Sequence, residues 1–378
     1  MCATKVNVNI VGETAYDVRI GSGVLGQMGT SLRKVPACAQ ATRVLVITDS
    51  NVGPLYLQQA KASLVAADYK VNDITVPAGE TSKSAEVLAE LWEAMAALGL
   101  DRSSVVVALG GGVVGDLAGF AAATFMRGIA VVQAPTTLLS MVDSSVGGKT
   151  GINLSAGKNL VGNFLQPAFV CADTAVLSTL PEREWACGLG EVAKSAVIDG
   201  DDFFFWMCDN AAALAAREQD AVAQAIAKCV VFKANVVAQD KTESKGVREC
   251  LNYGHTLGHA VEQLAGYGTY SHGAAVAEGM RFAARLAANV LGTPADVVEA
   301  QDQLLDQLGL PALPFSAAPE SMLDAMKRDK KTRGGVVRFV LPSDVGKWQL
   351  CTVADDVILQ QLRTWAAAKA AGSTAAGE

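Results

Sequence analysis

The stretch from Ser104 to Asp116 constrains the fold more than any other. Ser104–Leu109 is an apolar, valine-rich run that leads straight into Gly110-Gly-Gly112-Val113-Val114-Gly115-Asp116, ahead of an alanine-rich helical pattern. Glycines spaced Gly-x-Gly-x-x-Gly between a strand and a helix let the backbone approach a pyrophosphate, whose charge then sits at the helix N-terminus. A tight turn alone can produce the same spacing; the strand and helix on either side favour a dinucleotide. Neighbouring segments repeat the alternation. Arg43–Thr48 has the continuous apolar pattern of a buried parallel strand and ends in Asp49-Ser-Asn51, the place where open α/β sheets bind ligands. Leu55–Ala66 reads as a helix, Lys70–Val76 as a strand, and Ser84–Leu98 as a helix with Val87, Leu88, Leu91, Met95 and Leu98 on one stripe. Ile129–Ala134 and Phe169–Asp173 add two strands, and Lys5–Ile10 with Tyr16–Ile20 reads as an opening hairpin. No acid-ended strand follows the glycines at the usual spacing of about 20 residues, so the ribose carboxylate would have to be Asp49.

At Pro181 the texture changes to long helical patterns. The predicted architecture is an α/β Rossmann-like nucleotide-binding domain over 1–180, a mainly α-helical domain over 181–363, and a patternless Ala/Gly-rich tail over 364–378, either a frayed helix or disordered. The helical part holds all 3 histidines of the chain, His255, His259 and His272, inside one short segment. A lone histidine is more often a core residue bonded to a carbonyl, but three together indicate one site. His255 and His259 stand one helical turn apart, and Gly266-Tyr-Gly268 allows His272 to fold back towards them. Thr256 lies where His-Glu-x-x-His would require Glu, which removes the zinc-protease reading. Glu191 shares a helix face with Lys194, and with His255 and His272 it would complete a His2Glu set that leaves a metal position open to substrate.

A second dense polar stretch runs from Met141 through Asp143, Gly147, Gly148, Lys149 and Gly151 to Gly157-Lys158-Asn159, and its free N–H groups and lysines suit an anion. A single helix is predicted over Asp209–Ala238, and Lys233 falls on its apolar stripe with Ile226, Cys229 and Val230, so it requires an anionic partner. With Arg127, Lys149, Lys158, Lys194 and Arg248 it focuses positive charge in a chain of net charge −7. The substrate class implied is a small sugar carrying phosphate and carboxylate. Taken with the glycine loop, the chemistry implied is hydride transfer at a metal-bound hydroxyl. Acidic balance without clustered Lys and Arg argues against nucleic acid. Asp116, Arg127 and Asp143 interrupt the apolar runs before the roughly 18 residues a membrane span needs. Met1-Cys-Ala-Thr-Lys has no apolar h-region, and the 8 dispersed cysteines form no Cys-x-x-Cys, so a reducing, cytoplasmic setting is expected.

In order along roughly Val44–Gly346 the chain carries Gly-Gly-Val-Val-Gly-Asp-Leu-Ala-Gly-Phe, Arg-Gly-Ile, Pro-Thr-Thr-Leu-Leu, Val-Asp-Ser-Ser-Val-Gly-Gly-Lys-Thr-Gly, Gly-Lys-Asn, Thr-Leu-Pro-Glu-Arg-Glu, Leu-Asn-Tyr-Gly-His-Thr-Leu-Gly-His and Ser-His-Gly-Ala-Ala-Val-Ala. This series resembles the 3-dehydroquinate synthase family. The resemblance implies a homodimer that uses NAD and one divalent metal, Zn²⁺ or Co²⁺. Its metal ligands fall on Glu191, His255 and His272, leaving His259 to catalysis or substrate. It places NAD on Asp49, Asn51, Glu80, Lys83, Gly112, Val113, Val114, Gly115, Asp116, Thr136, Thr137, Lys149, Lys158 and Thr179. It places substrate on Asp143, Lys149, Asn159, Lys194, Lys233, Arg248, Asn252 and Lys330, with Arg127 reaching the phosphate. Gly190 and Ala193 stand where the family usually has Ala and Ile, and Gln239–Gly246 lacks the usual acidic-arginine run.

Overall fold

The computed structural model describes residues 3–328 and 336–375. They divide into two compact units, Met1–Pro181 with Gln219–Thr242, and Glu182–Glu218 with Glu243–Glu378.

The first unit is built on a seven-stranded sheet. Its strands are β1 (Thr4–Val8), β2 (Tyr16–Gly21), β3 (Arg43–Asp49), β4 (Lys70–Val76), β5 (Val105–Gly110), β6 (Ala130–Pro135) and β9 (Phe169–Asp173), in the order β1-β2-β9-β6-β5-β3-β4. Only the β1–β2 hairpin is antiparallel. The central strands are apolar because both faces are covered: every residue of β5 is buried. Helices α1 (Met28–Leu32) and α2 (Pro36–Ala39) are short, while α3 (Gly53–Val65), α4 (Ala85–Ala97) and α5 (Gly112–Thr124) are the crossovers. From β3 the chain moves outward to β4 and then returns to place β5 on the other side of β3, so the winding reverses there. Asp49 and the glycine loop emerge at the carboxyl ends of these two strands, where doubly wound sheets open a ligand crevice.

Two features of this unit depart from the expected pattern. The polar stretch after Gly148, given no secondary structure in the sequence analysis, is a hairpin, β7 (Lys149–Leu154) with β8 (Gly157–Phe164). The predicted helix over Asp209–Ala238 is two helices, α7 (Asp201–Ala215) and α8 (Gln219–Gln239), broken where Arg217 takes φ 58°. The second of them packs on β1 and β2 within the first unit, not with the helices around it in sequence. By length and composition α8 could cross a membrane, yet 61% of its most apolar window is buried and it carries the buried Lys233.

The second unit contains α6 (Glu182–Asp199) and α7, then α9 (His255–Ala265), α10 (His272–Leu291), α11 (Ala295–Gln307), α12 (Pro319–Arg328), the hairpin β10 (Arg338–Asp344) with β11 (Lys347–Thr352), and α13 (Asp355–Ala375). The segment read as a patternless tail from 364 onwards continues α13 to Ala375. Its anchor is a carboxylate from elsewhere in the chain: Glu278, on α10 and 2% exposed, accepts the Trp365 indole N–H at 2.6 Å and pairs with Lys369 at 2.7 Å.

The axis of this unit is α10, and glycine lets its neighbours touch its backbone. A Cβ on Gly273 would lie 2.1 Å from the Cys187 carbonyl oxygen of α6, and one on Gly279 would lie 1.8 Å from the Gly254 carbonyl oxygen just before α9. Gly190 faces Gly273 in the same way, at 2.5 Å from its oxygen. No side chain separates these elements, so the residues flanking the contacts are drawn together.

Candidate active site

Those contacts assemble the histidine cluster in the second unit. Glu191 lies mid-way along α6, while His255 and His272 are the first residues of α9 and α10. One oxygen of Glu191 stands 3.5 Å from Nε2 of His255 and 3.5 Å from Nε2 of His272. One ring nitrogen from each of His255, His259 and His272 lies within 4.8 Å of the other two, and the His255 and His272 ring centroids are 5.2 Å apart. The structure therefore brings together all four residues that the sequence singled out here.

The donor set suits a divalent metal. An imidazole can ligate through Nε2 only if its proton lies on Nδ1, and both ligand candidates have an acceptor there. His255 Nδ1 faces the Tyr253 carbonyl oxygen at 3.0 Å, and His272 Nδ1 faces a Glu262 carboxylate oxygen at 3.1 Å. Glu262 and the Tyr253 carbonyl are site elements that sequence reasoning missed. Glu262 does fall seven residues after His255 on the same helical face, which was a usable signal.

Glu191 also pairs with Lys194, and both side chains are 3% exposed. Burial opposes ionisation of Glu191, but the charges of Lys194, His255 and His272, with a hydrogen bond from His272, hold its carboxyl well below the usual carboxylate range. For His272, burial pulls downward, but hydrogen bonds to Glu191 and Glu262 and their charges outweigh it and raise the imidazole from 6.5 to about 9. A raised folded-state value stabilises the protein fully below the unfolded value of 6.5, and that contribution is lost as pH rises through about 9. The metal-stripped protein is therefore expected to melt at a lower temperature above pH 9 than near pH 6, and His272→Asn should flatten this part of the profile. Melting curves across that range check it; equal pH dependence in the two proteins would refute it.

The first unit carries the glycine cradle. Helix α5 begins at Gly112 behind an extended Gly111 that provides no side-chain cap, and there is no acid in the first turn, so its leading N–H groups and positive dipole end are available to an anion. A Cβ on Gly112 would meet Ser144 Oγ at 3.2 Å and one on Gly115 would meet Gln133 Oε1 at 2.9 Å, so glycine at both positions lets neighbouring side chains of the unit pack directly on the start of α5. Val114 is fully buried in the core, which leaves only its backbone for a ligand, whereas Val113 is partly exposed. The buried hydroxyl of Thr136 has no hydrogen-bond partner among the described residues. An orphaned hydroxyl at the end of β6 beside an uncapped helix start fits a dinucleotide.

Around the cradle, Lys83 is 4% exposed and donates to Asp116 Oδ2 at 2.6 Å and Asn159 Oδ1 at 2.6 Å, with Glu80 at 3.9 Å. Asn153, absent from the sequence reading, bonds Glu80 at 2.8 Å and accepts the Asn159 N–H at 2.9 Å, tying the β7–β8 hairpin to this group. Asp49 accepts the N–H groups of Asn51 and Val52, each at 2.9 Å, and so shapes the turn into α3. Thr179 bonds the Tyr56 hydroxyl at 2.5 Å, and the Thr137 hydroxyl bonds Ser140 at 2.9 Å. Lys149 and Lys158 are exposed on the hairpin. Lys233 meets the anionic partner its position required: it donates to the Asp143 carbonyl at 2.6 Å and carboxylate at 2.7 Å, and Asp143 lies in a π-helical turn at Ser140–Ser144. Arg127 is exposed, with left-handed φ of 67° directly after Met126 at 52°, a strained pair of the kind found at functional turns. In the second unit Arg248 is 1% exposed and Asn252 donates to Glu249 at 3.1 Å. Lys330 lies outside the described residues.

A parallel-sheet unit with a glycine cradle, in one chain with a helical unit that gathers a carboxylate and three imidazoles, is the architecture of the dehydroquinate-synthase-like fold, to which sugar-phosphate cyclases belong. A crystal structure of 2-deoxy-scyllo-inosose synthase, complexed with carbaglucose-6-phosphate, NAD⁺ and Co²⁺, matches with a TM-score of 0.85 at 31% identity, over 96% of this chain and 99% of that one. The 2-epi-5-epi-valiolone synthase of Streptomyces hygroscopicus, with NAD⁺ and Zn²⁺ bound, matches with a TM-score of 0.82 at 28% identity, over 94% and 98%. A glycerol dehydrogenase from Schizosaccharomyces pombe shares the fold, with a TM-score of 0.65 at 15% identity, over 96% and 91%.

Sequence comparison narrows the class. The family described as 3-dehydroquinate synthase N-terminal matches residues 73–187, and 3-dehydroquinate synthase C-terminal matches 188–332. The 3-dehydroquinate synthase of Rhodopirellula baltica is 46% identical over 339 residues, 89% of this chain and 90% of the relative. That of Desulforamulus reducens is 47% identical over 338 residues, covering 89% and 93%. The chain belongs to the 3-dehydroquinate synthase family, whose members are shikimate-pathway lyases that eliminate phosphate and close a ring.

Proposed function

We propose that the chain converts 3-deoxy-D-arabino-heptulosonate 7-phosphate to 3-dehydroquinate and phosphate, with NAD and one divalent metal, Zn²⁺ or Co²⁺, as cofactors. The observation that carries this is the single Glu191 oxygen 3.5 Å from both His255 and His272, in a chain of this family. When bound, NAD would accept and return a hydride, and the metal would act as a Lewis acid on the hydroxyl and ketone oxygens. Glu191, His255 and His272 would hold the metal through Oε1 and the two Nε2 atoms.

The remaining roles belong to the chain's own groups. The leading N–H groups of α5, those of Gly112, Val113 and Val114, would bind the pyrophosphate, with Gly115 and Asp116 completing the turn beneath it and Asp49, Asn51, Glu80, Lys83, Thr136, Thr137, Lys158 and Thr179 around the rest of the dinucleotide. Lys149, Asn159, Lys194, Arg248, Asn252 and Arg127 would fix the phosphate and carboxylate of the substrate, so that orientation replaces chance encounter. Lys233 is held by Asp143 with its charge directed by two short bonds, which suits a fixed cation against an anionic group. His259, whose ring is close to both ligand imidazoles, would be left to catalysis or substrate and could move a proton there. We also propose a cytoplasmic homodimer, as the family resemblance implies.

Supplying the heptulosonate phosphate with a trace of NAD is expected to release phosphate and 3-dehydroquinate in equal amounts without accumulating NADH. Build-up of NADH would instead identify a polyol dehydrogenase. Turnover of sedoheptulose 7-phosphate or glucose 6-phosphate in its place would identify another cyclase.

A further inference from the structure

We infer that Glu262 is a positioning residue for the metal: its carboxylate fixes the tautomer and ring plane of His272, so that Nε2 faces Glu191 and His255. The inference rests on the reading of Glu191, His255 and His272 as ligands. Glu262 shares one face of α9 with His255 and His259, at positions i, i+4 and i+7. Its carboxylate oxygen lies 3.1 Å from His272 Nδ1, while the opposite nitrogen of the same ring points at Glu191 from 3.5 Å. The imidazole is therefore gripped from both ends, and it packs beside the His255 and His259 rings, whose centroids lie 5.2 and 5.9 Å away.

The two candidate imidazoles are held differently. His255 is 9% exposed and gives its Nδ1 proton to the Tyr253 carbonyl two residues away, so its orientation is set by its own turn. His272 opens α10 and has no such local acceptor; its restraint comes from a neighbouring helix. Glu262, with a side chain 16% exposed, is sheltered enough for the bond to persist. Without it, the ring would be free to flip and offer either nitrogen, and the ordering would have to occur when the metal binds. Carboxylates in this position change metal affinity by about 10- to 100-fold in other proteins.

The test compares wild type, Glu262→Ala, Glu262→Gln and His272→Ala, each stripped of metal and then titrated with Zn²⁺ against a chelator and with Co²⁺ by visible absorption. Glu262→Ala should weaken Zn²⁺ binding by about 10- to 100-fold and alter the Co²⁺ spectrum. Glu262→Gln keeps an oxygen acceptor for the Nδ1 proton and should restore most of the affinity and the wild-type spectrum. If both Glu262 variants bind Zn²⁺ as wild type does, with an unchanged Co²⁺ spectrum, Glu262 is only a helix-to-helix tie and the inference is overturned. If Glu262→Ala does not fold, the Gln variant decides by itself: an affinity and spectrum both departing strongly from wild type would rule out the acceptor role. His272→Ala with undiminished binding would overturn the ligand reading, and the inference with it.

Discussion

Replacing Glu191 with glutamine is expected to produce two separable losses, one of metal and one of stability. The substitution keeps size and shape but removes the only charge in the proposed ligand set, and a Lewis-acid contribution of several kcal/mol corresponds to about a thousandfold or more in turnover. The second loss arises from Lys194, 3% exposed and paired with the other Glu191 oxygen. Removing one partner of a buried ion pair takes away a counter-charge that offset the other's desolvation, at a cost of about 3–5 kcal/mol. Glu191→Gln should therefore lower the melting temperature even of metal-stripped protein. Adding Lys194→Met should recover much of that stability, because an apolar chain of similar length needs no counter-ion, yet metal binding and turnover should stay lost. Denaturant unfolding and zinc titration of the single and double variants read the two effects independently. A single variant as stable as wild type without metal would mean that the Glu191–Lys194 pair contributes nothing, and one that binds zinc as wild type would remove Glu191 from the ligand set.

Why this cluster could be read from sequence while its supports could not follows from what each residue type implies. Histidine is scarce here and carries chemistry wherever it is unpaired, so three in one segment identify a site before any coordinates exist. Lys233 declared a need for an anion by lying on an apolar stripe, but nothing in the sequence said that Asp143, 90 positions earlier, would meet it. Glu262 shares a helical face with His255 and His259, but the sequence alone did not say that the His272 ring would be set against it. The sheet was legible because buried parallel strands must be apolar throughout. The β7–β8 hairpin was not: its glycines and polar residues lack strict alternation, and most of β8 is exposed. The break at Arg217 involves neither Pro nor Gly, so no local signal separates α7 from α8, and the membership of α8 in the first unit depends on packing against strands over two hundred residues earlier. The Ala-rich end of α13 gains its order from Glu278, a long-range partner that composition cannot show.

Gly279→Ala offers a case where local propensity and packing predict opposite signs. Gly279 is inside α10, where alanine is intrinsically favoured by about 1 kcal/mol, so propensity alone would make the variant more stable. Packing forbids it. The new Cβ would sit 1.8 Å from the Gly254 carbonyl oxygen, and neither atom belongs to a side chain that can rotate away. Gly254 has little room to yield either: its φ of +78° is set by the turn into α9, and its backbone is packed so closely on α10 that a Cβ placed there would lie 2.5 Å from the Val276 oxygen. The remaining response is to push α10 away from the start of α9, which separates His272 from His255. Overpacking of this kind costs about 1–3 kcal/mol where side chains can adjust, and more is expected where backbone meets backbone. The variant should therefore be strongly destabilised, and the fraction that folds should bind zinc poorly. Gly309→Ala is the control: its φ is +72° but nothing lies within 4 Å of the new Cβ, so only the backbone cost of about 1–2 kcal/mol applies. Unfolding midpoints and zinc affinities of the two variants decide the matter. Should Gly279→Ala equal or exceed wild type in stability, the direct backbone contact is not what holds the two histidine-bearing helices together.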